Sequence, residues 1–214
     1  GGTKGAGIVA FDKTNGKLVW KATDDEASYS SPVAAALNGS RHAFFLTRNG
    51  LVVIEPQSGQ VQSQFPWRSR THASVNAATP LVIGDLIFLS ASYETGAVAL
   101  KIENNKPRKI WSSDDALSNH YATSVPGAGV LYGFHGRQEH GPSLRCVELM
   151  TGRVKWSEDR FPAGTVTLAG ELLLVLLEDG RLLLAPASPE RFQPAAQAQI
   201  LPLGVRAYPA LADG

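Results

Sequence analysis

The sequence predicts an all-β chain of β-propeller blades, four antiparallel strands to a blade, and three observations carry that prediction. The four tryptophans, Trp20, Trp67, Trp111 and Trp156, stand 47, 44 and 45 residues apart. Two glycine ladders keep the same period: Gly39, Gly84, Gly129, Gly170 and Gly214, then Gly50, Gly96, Gly141 and Gly180. Between these markers run short apolar segments, often β-branched and bounded by glycine or proline, which is the chemistry of buried strands. Unrelated residue types on one period mark a structural repeat, and four strands per ~45 residues is a propeller blade.

The elements follow in order. Residues 9–12 pair through a turn at 13–16 with residues 17–20. A polar loop leads to a strand at 32–36, a turn at Asn38-Gly39, a strand at 42–47, and Asn49-Gly50 opens the next unit. Segments 8–11, 43–46, 51–54, 86–89, 97–100 and 182–184 read as buried strands. The run 171–177 is helical in composition alone; Gly170 and Asp179-Gly180 leave it too short for a good helix, so it is assigned as a strand. Blade junctions fall near residues 26, 72, 118, 163 and 203 of a single partial domain covering 1–214. The phase gives a half blade, four fuller blades and an orphan strand at 208–211. About five repeats is an incomplete segment of a seven- or eight-bladed propeller, with open blade edges available for self-association.

Composition narrows the function classes. Hydrophobic residues make up 43% and charged residues 18%, as in ordinary globular proteins. A formal net charge of +1 leaves no electrostatic footprint for nucleic acid. Cys146 is the single cysteine, so no internal disulfide forms. The longest apolar run, 172–177, is too short to cross a membrane, and the opening Gly1-Gly2-Thr3-Lys4-Gly5-Ala6-Gly7 lacks the apolar core of a signal peptide.

Several motifs tie the repeats to a known family. The segment Phe11-Asp12-Lys13-Thr14-Asn15-Gly16-Lys17-Leu18-Val19-Trp20 resembles the signature of the quinoprotein-like, pyrroloquinoline-quinone-type repeat: an acidic residue, a Thr-Gly turn, then tryptophan. Glu148-Leu149-Met150-Thr151-Gly152-Arg153-Val154-Lys155-Trp156 repeats it, and Glu55-Pro56-Gln57-Ser58-Gly59 keeps the turn but displaces the tryptophan to Trp67. Lys101 to Trp111 retains only the tryptophan. Ser30-Ser31-Pro32-Val33 recurs loosely as Ala78-Thr79-Pro80-Leu81 and Tyr208-Pro209-Ala210-Leu211. The resemblance implies a propeller in which tryptophan serves blade-to-blade packing, and an extracytoplasmic, periplasmic bacterial setting.

It also implies two alternative functions, since fold does not fix function. One is a non-catalytic scaffold or binding module for a protein partner or small ligand, similar to the lipoprotein of the outer-membrane assembly machinery. The other is part of an alcohol or sugar dehydrogenase using pyrroloquinoline quinone with Ca²⁺. The dehydrogenases of the family use a vicinal cysteine pair, which Cys146 cannot form, and no residue here matches their catalytic Asp or calcium ligands. Asp24-Asp25-Glu26 and Asp114-Asp115 lack the alternating spacing of a calcium loop and read as solvated carboxylates. Nucleophile-elbow, zinc-protease and phosphate-loop motifs are missing. The scaffold reading is preferred, with no catalytic or metal residue assigned.

In a propeller, the loop entering each innermost strand and the loop between the second and third strands share one face. Loops 27–31, 72–77, 119–123 and 205–208 form the first class; 48–49, 93–94, 135–140 and 178–179 form the second. This grouping gathers Tyr29, Asn76, Tyr93, His120, Tyr121, Arg206 and Tyr208, whose apolar bodies and polar tips suit a binding surface. The longest loop adds His135, Arg137, Glu139 and His140. With His120 these could hold a transition metal, but a solvated or partner-contact loop is the preferred account. His42 and His72 are read as surface or strand-edge residues.

Overall fold

A computed structural model describes residues 2, 4–37, 39–69, 71, 76–104 and 106–212. Asn38, His72 and Gly214, which the sequence reading placed in turns and loops, lie outside the described residues. A two-stranded antiparallel sheet comes first, β1 (Ile8–Phe11) with β2 (Leu18–Ala22). Four sheets of four antiparallel strands follow, each in simple chain order. They are β3 (Val33–Leu37), β4 (Ser40–Leu46), β5 (Gly50–Ile54) and β6 (Val61–Pro66); then β7 (Leu81–Ile83), β8 (Leu86–Ala91), β9 (Gly96–Glu103) and β10 (Lys106–Ser113). The third is β11 (Val125–Pro126), β12 (Val130–His135), β13 (Ser143–Glu148) and β14 (Val154–Glu158); the fourth is β15 (Gly164–Ala169), β16 (Leu172–Leu177), β17 (Arg181–Pro186) and β18 (Ala196–Gln199). The ambiguous run at 171–177 is therefore strand β16. Residues 208–211, read from sequence as an orphan strand, carry no strand structure: Tyr208 contacts Thr123 by its hydroxyl, and no neighbouring strand pairs with this backbone among the described residues.

Burial places each strand within its blade. Every residue of β5 is buried, as is nearly all of β8 and β9, whereas every residue of β18 is exposed. The first strands β3, β7, β11 and β15 touch one another in succession, which sets them innermost. Four apolar clusters fill the spaces between neighbouring sheets. Ile8, Ala22, Val52 and Ile54 join the hairpin to the first full blade. Phe44, Leu51, Ile87 and Leu100 join the next pair, then Phe88, Leu117, Leu131 and Val147, then Tyr132, Leu144, Leu173 and Val175. Each blade presents one apolar face to each neighbour, so its central strands read as continuous apolar runs without polar alternation.

The tryptophans sit at the rim of these clusters, half-buried, and the core proper is aliphatic with phenylalanine and tyrosine. Trp20 donates its indole N–H to the Pro56 carbonyl at 2.8 Å, Trp111 to the Leu149 carbonyl at 2.8 Å, and Trp156 to the Ser188 carbonyl at 2.9 Å. Each acceptor lies in the following blade, so each indole latches one blade to the next.

A β-bulge aims three of these side chains. Trp20 pairs with Ala10, Trp111 with Ala99 and Trp156 with Cys146, and in each ladder one outer-strand residue just before the tryptophan is left unpaired. The extra residue adds twist and turns the indole toward the neighbouring blade. The β5–β6 ladder has the same bulge, but Ser63 follows it opposite Val53. Trp67 lies beyond β6 and stacks on Phe65 at 6.3 Å, and its buried indole nitrogen has no hydrogen-bond partner among the described residues.

Candidate functional site

One end of the blades is stitched by a recurring loop-to-loop hydrogen bond, backbone to backbone in three blades and from a serine hydroxyl in the other. In each full blade, the loop entering the first strand bonds to the loop between the second and third strands. Arg48 N donates to Glu26 O at 3.3 Å, Ser69 Oγ to Tyr93 O at 2.8 Å, Gly136 N to Ser118 O at 2.8 Å, and Glu178 N to Ala163 O at 2.7 Å. The two loop classes therefore share one face.

Two buried asparagines fix that face to the framework. Asn76 is 2% exposed; its amide donates to the carbonyls of Thr47 at 2.8 Å and Trp67 at 3.1 Å, and its own carbonyl accepts from Tyr29 N and Ser30 N. Asn119, in the loop before the first strand of the next blade, ties that loop to its own blade: its amide donates to Phe134 O at 2.8 Å and its side-chain carbonyl accepts from Ser124 Oγ at 3.0 Å. The sequence reading put Asn76 on the ligand-facing surface. The structure corrects it, because a buried side-chain amide whose N–H groups bond two backbone carbonyls holds loops together.

Across this face runs a row of half-buried aromatic and charged side chains that crosses three blades. Tyr93 sits in the β8–β9 turn with φ of 62°, next to Glu94 at 61°, a pair of left-handed residues with no glycine or asparagine between them. Such conformations cost side chains roughly 1 kcal/mol or more and concentrate at functional positions. The turn brings the Tyr93 hydroxyl 3.0 Å from His120 Nε2, while His120 Nδ1 contacts Gln138 Oε1. An amide carbonyl only accepts, so Nδ1 is the donor in the Gln138 contact. His120 lies edge-on between Tyr93 and Tyr121, at ring distances of 5.4 and 5.9 Å.

Arginines cap both ends of this row. The Arg137 guanidinium lies 4.6 Å from the Tyr93 ring centroid and pairs with Glu139 at 2.9 Å. That hydrogen bond holds the Glu139 carboxyl down to about 2. At the far end Arg206 lies 5.6 Å from the Tyr121 ring and 2.9 Å from Glu178, whose carboxylate also accepts the Tyr121 hydroxyl at 2.7 Å. Burial, then the Glu178 contact, raises the Tyr121 phenol well above its ordinary value. Tyr208 joins from the last loop by a hydrogen bond between its hydroxyl and Thr123 N.

The remaining candidates stand apart. His135 turns inward: its Nδ1 accepts from Ser118 N–H at 3.1 Å, and burial with the nearby Arg145 charge holds it down to about 4. His140 ends a single 3₁₀ turn at Gln138–His140 and is exposed. Tyr29 is 77% exposed and is tied to the face only through its backbone. Gln138 and Glu178 were not singled out by the sequence, though both lie in loops assigned to this face. Their signal is positional: Gln138 lies one blade period, and Glu178 two, after the turn that carries Tyr93.

A family model described as outer membrane protein assembly factor BamB matches residues 2–185. The chain belongs to this family. A search of curated proteins finds no match. Among solved structures, BamB from Moraxella catarrhalis is similar with a TM-score of 0.57 and 15% identity, over 89% of this chain and 61% of that one. The quinohemoprotein alcohol dehydrogenase from Comamonas testosteroni gives a TM-score of 0.60 at 9% identity over 83% of this chain and 36% of its own. The computationally designed Ika8 protein gives 0.61 at 10% identity, over 92% and 57%. These likenesses show the shared propeller fold, and the chain spans about three fifths or less of each structure.

The row of Tyr93, His120 and Tyr121 itself leaves no room for pyrroloquinoline quinone. The crevice beside the row, between His120, Tyr121, Phe134, Gln138 and Pro142, holds about 10 Å³, room for roughly one water. Among the described residues no three His, Cys, Asp or Glu side chains converge. Cys146 is fully buried in β13 beside Tyr132, its thiol pushed up to about 11 by burial. No helix among the described residues is long and apolar enough to cross a membrane.

Proposed function

We propose that this chain is a non-catalytic, extracytoplasmic propeller platform that receives a protein partner on the face carrying Tyr93, His120, Tyr121, Arg137 and Arg206. The observation that carries this reading is the form of the row. It is shallow, rigidly underpinned by Asn76 and Asn119, and made of tyrosine, histidine and arginine held by one another. Side chains of this kind dominate protein-binding hot spots, because they bury much area for little rotamer entropy. A flat, preordered surface suits a macromolecule better than a small ligand, which needs a concave pocket of several hundred cubic ångströms. The family's link to outer-membrane assembly supports the extracytoplasmic setting.

Two measurements test it. A photo-crosslinking residue at Gln138, in the source cells, is expected to yield one stoichiometric protein adduct that Arg137→Ala or Tyr121→Ala abolishes without unfolding the chain. A smear of adducts indifferent to these substitutions would reject the face. Calorimetric titration with pyrroloquinoline quinone and Ca²⁺ is expected to show dilution heat alone. Micromolar binding followed by dye reduction with an alcohol or sugar would replace the platform with a dehydrogenase.

A further inference from the structure

Where the β1–β2 hairpin meets the first full blade, the loop that follows β2 lays Asp25 against the β4–β5 turn. Thr23 enters that loop with φ of 58°, a left-handed conformation that a β-branched residue adopts only where its surroundings impose it. Asp25 Oδ1 accepts from Thr47 Oγ1 at 3.2 Å and from Asn49 Nδ2 at 2.8 Å. Asn49 is held in turn by Arg68, whose Nη1 donates to its Oδ1 at 2.8 Å. Both bonds to Asp25 fall on one carboxylate oxygen, which fixes the side chain and leaves Oδ2 without a donor among the described residues.

This half-buried carboxylate also lacks a countercharge. Arg48 and Arg68 turn to Glu26, at 3.3 and 3.7 Å, and among the described residues no cationic side chain pairs with Asp25. Beside it opens a cleft of about 270 Å³, bordered by Asp25, Thr47, Asn49 and the facing parts of β5 and β6. The register decides which strand side chains enter it. Val52 packs toward the hairpin with Ile8, Ala22 and Ile54; it pairs with Gln64, and Gly50 pairs with Pro66. Paired residues share a sheet face, so Val52, Gln64 and Pro66 line the cleft on the hairpin side. No side chain fits at Gly50, where a Cβ would stand 2.2 Å from Phe65 O. An apolar base with one fixed polar group at its rim is the usual form of a small-molecule site.

We propose that this cleft binds a small organic amine, its ammonium on Asp25 Oδ2 and its apolar body on Val52 and Pro66. An ammonium donates to the unused oxygen and supplies the missing charge. A carboxylate ligand would be repelled there, and a neutral one of equal shape gains only the apolar contact and a weaker hydrogen bond. The site shares no residue with the row of Tyr93, His120 and Tyr121 and does not depend on that row's role.

The test titrates 2-phenylethylammonium chloride, to tens of millimolar, into the ¹⁵N-labelled chain. Saturable shifts are expected at the Asn49 side-chain amide and at the Gly50 and Gln64 backbone amides. 2-Phenylethanol should bind about tenfold more weakly, and phenylacetate should not bind. Asp25→Asn should weaken the amine about tenfold, leave the alcohol unchanged and keep Tm, because the asparagine oxygen still accepts from Thr47 and Asn49. Gln64→Phe, which places a ring in the cleft and leaves Asp25 intact, should abolish binding of both. The proposal is overturned if no saturable shift appears at these groups, if phenylacetate binds as well as the amine, or if folded Asp25→Asn keeps the amine's full affinity. Should Asp25→Asn unfold the chain, undiminished binding by Gln64→Phe overturns it alone. Tighter binding of Nα-acetyl-lysine amide than of phenylethylammonium would also overturn it, since the occupant would then be a lysine side chain of a partner protein.

Discussion

Replacing Trp67 and Trp111 separately by phenylalanine should give different outcomes, although both belong to the evenly spaced tryptophan series. Trp111 packs against Phe88 at 6.1 Å and donates at 2.8 Å to Leu149 O. Phenylalanine there removes roughly 40 Å² of apolar contact, about 1 kcal/mol, and a hydrogen bond of about 1 kcal/mol. It also strands the carbonyl of a residue only 5% exposed, so a loss of about 2–3 kcal/mol is expected. Trp67 loses similar contact area, but its buried indole N–H has no hydrogen-bond partner among the described residues, and removing it relieves a desolvation cost of about 1–3 kcal/mol. Trp67→Phe should therefore lie within about 1 kcal/mol of wild type. Urea unfolding followed by far-ultraviolet circular dichroism measures both, because neither signal depends on the removed fluorophore. Equal losses in the two variants would refute the latch as an energetic element and leave only ring packing.

Three further outcomes follow from the same contacts. His135 is held to about 4 when folded, against 6.5 when free, so between these values the unfolded chain binds more protons. Stability should be full above pH 6.5 and fall as the pH drops toward 4, and His135→Gln should flatten that segment of a Tm–pH curve. Asn76→Ala strands the Trp67 carbonyl and leaves the Thr47 carbonyl only its bond from Gly50 N, and a loss of about 1–3 kcal/mol in denaturant midpoint analysis is expected; a near-neutral result would return Asn76 to the surface. Tyr121→Phe removes only the hydroxyl that Glu178 accepts, so the folded circular dichroism spectrum should persist while the Arg206–Glu178 pair loosens, seen as broadening of the Arg206 side-chain resonance.

The local sequence determined the blade. Gly16, Gly59 and Gly152 adopt positive φ in the outer turns, acidic residues cap those turns, and the apolar runs are too short for helices, so strands, turns and their spacing were readable without partners. The loop face was readable in the same way, since strand order alone decides which loops share an end. Tertiary structure decided the rest. A one-residue bulge shifts no period that composition reveals, yet the residue that follows it is the one aimed at a neighbour's carbonyl: Trp20, Trp111 and Trp156 hold that place, whereas Ser63 holds it in the β5–β6 ladder and Trp67 lies beyond. Asn76 and Tyr93 looked alike from sequence as polar loop residues on one face. Burial of the first beneath backbone, and the left-handed turn that lifts the second onto Arg137 and His120, depend on atoms 27 to 44 residues away along the chain, and no local pattern carries that information.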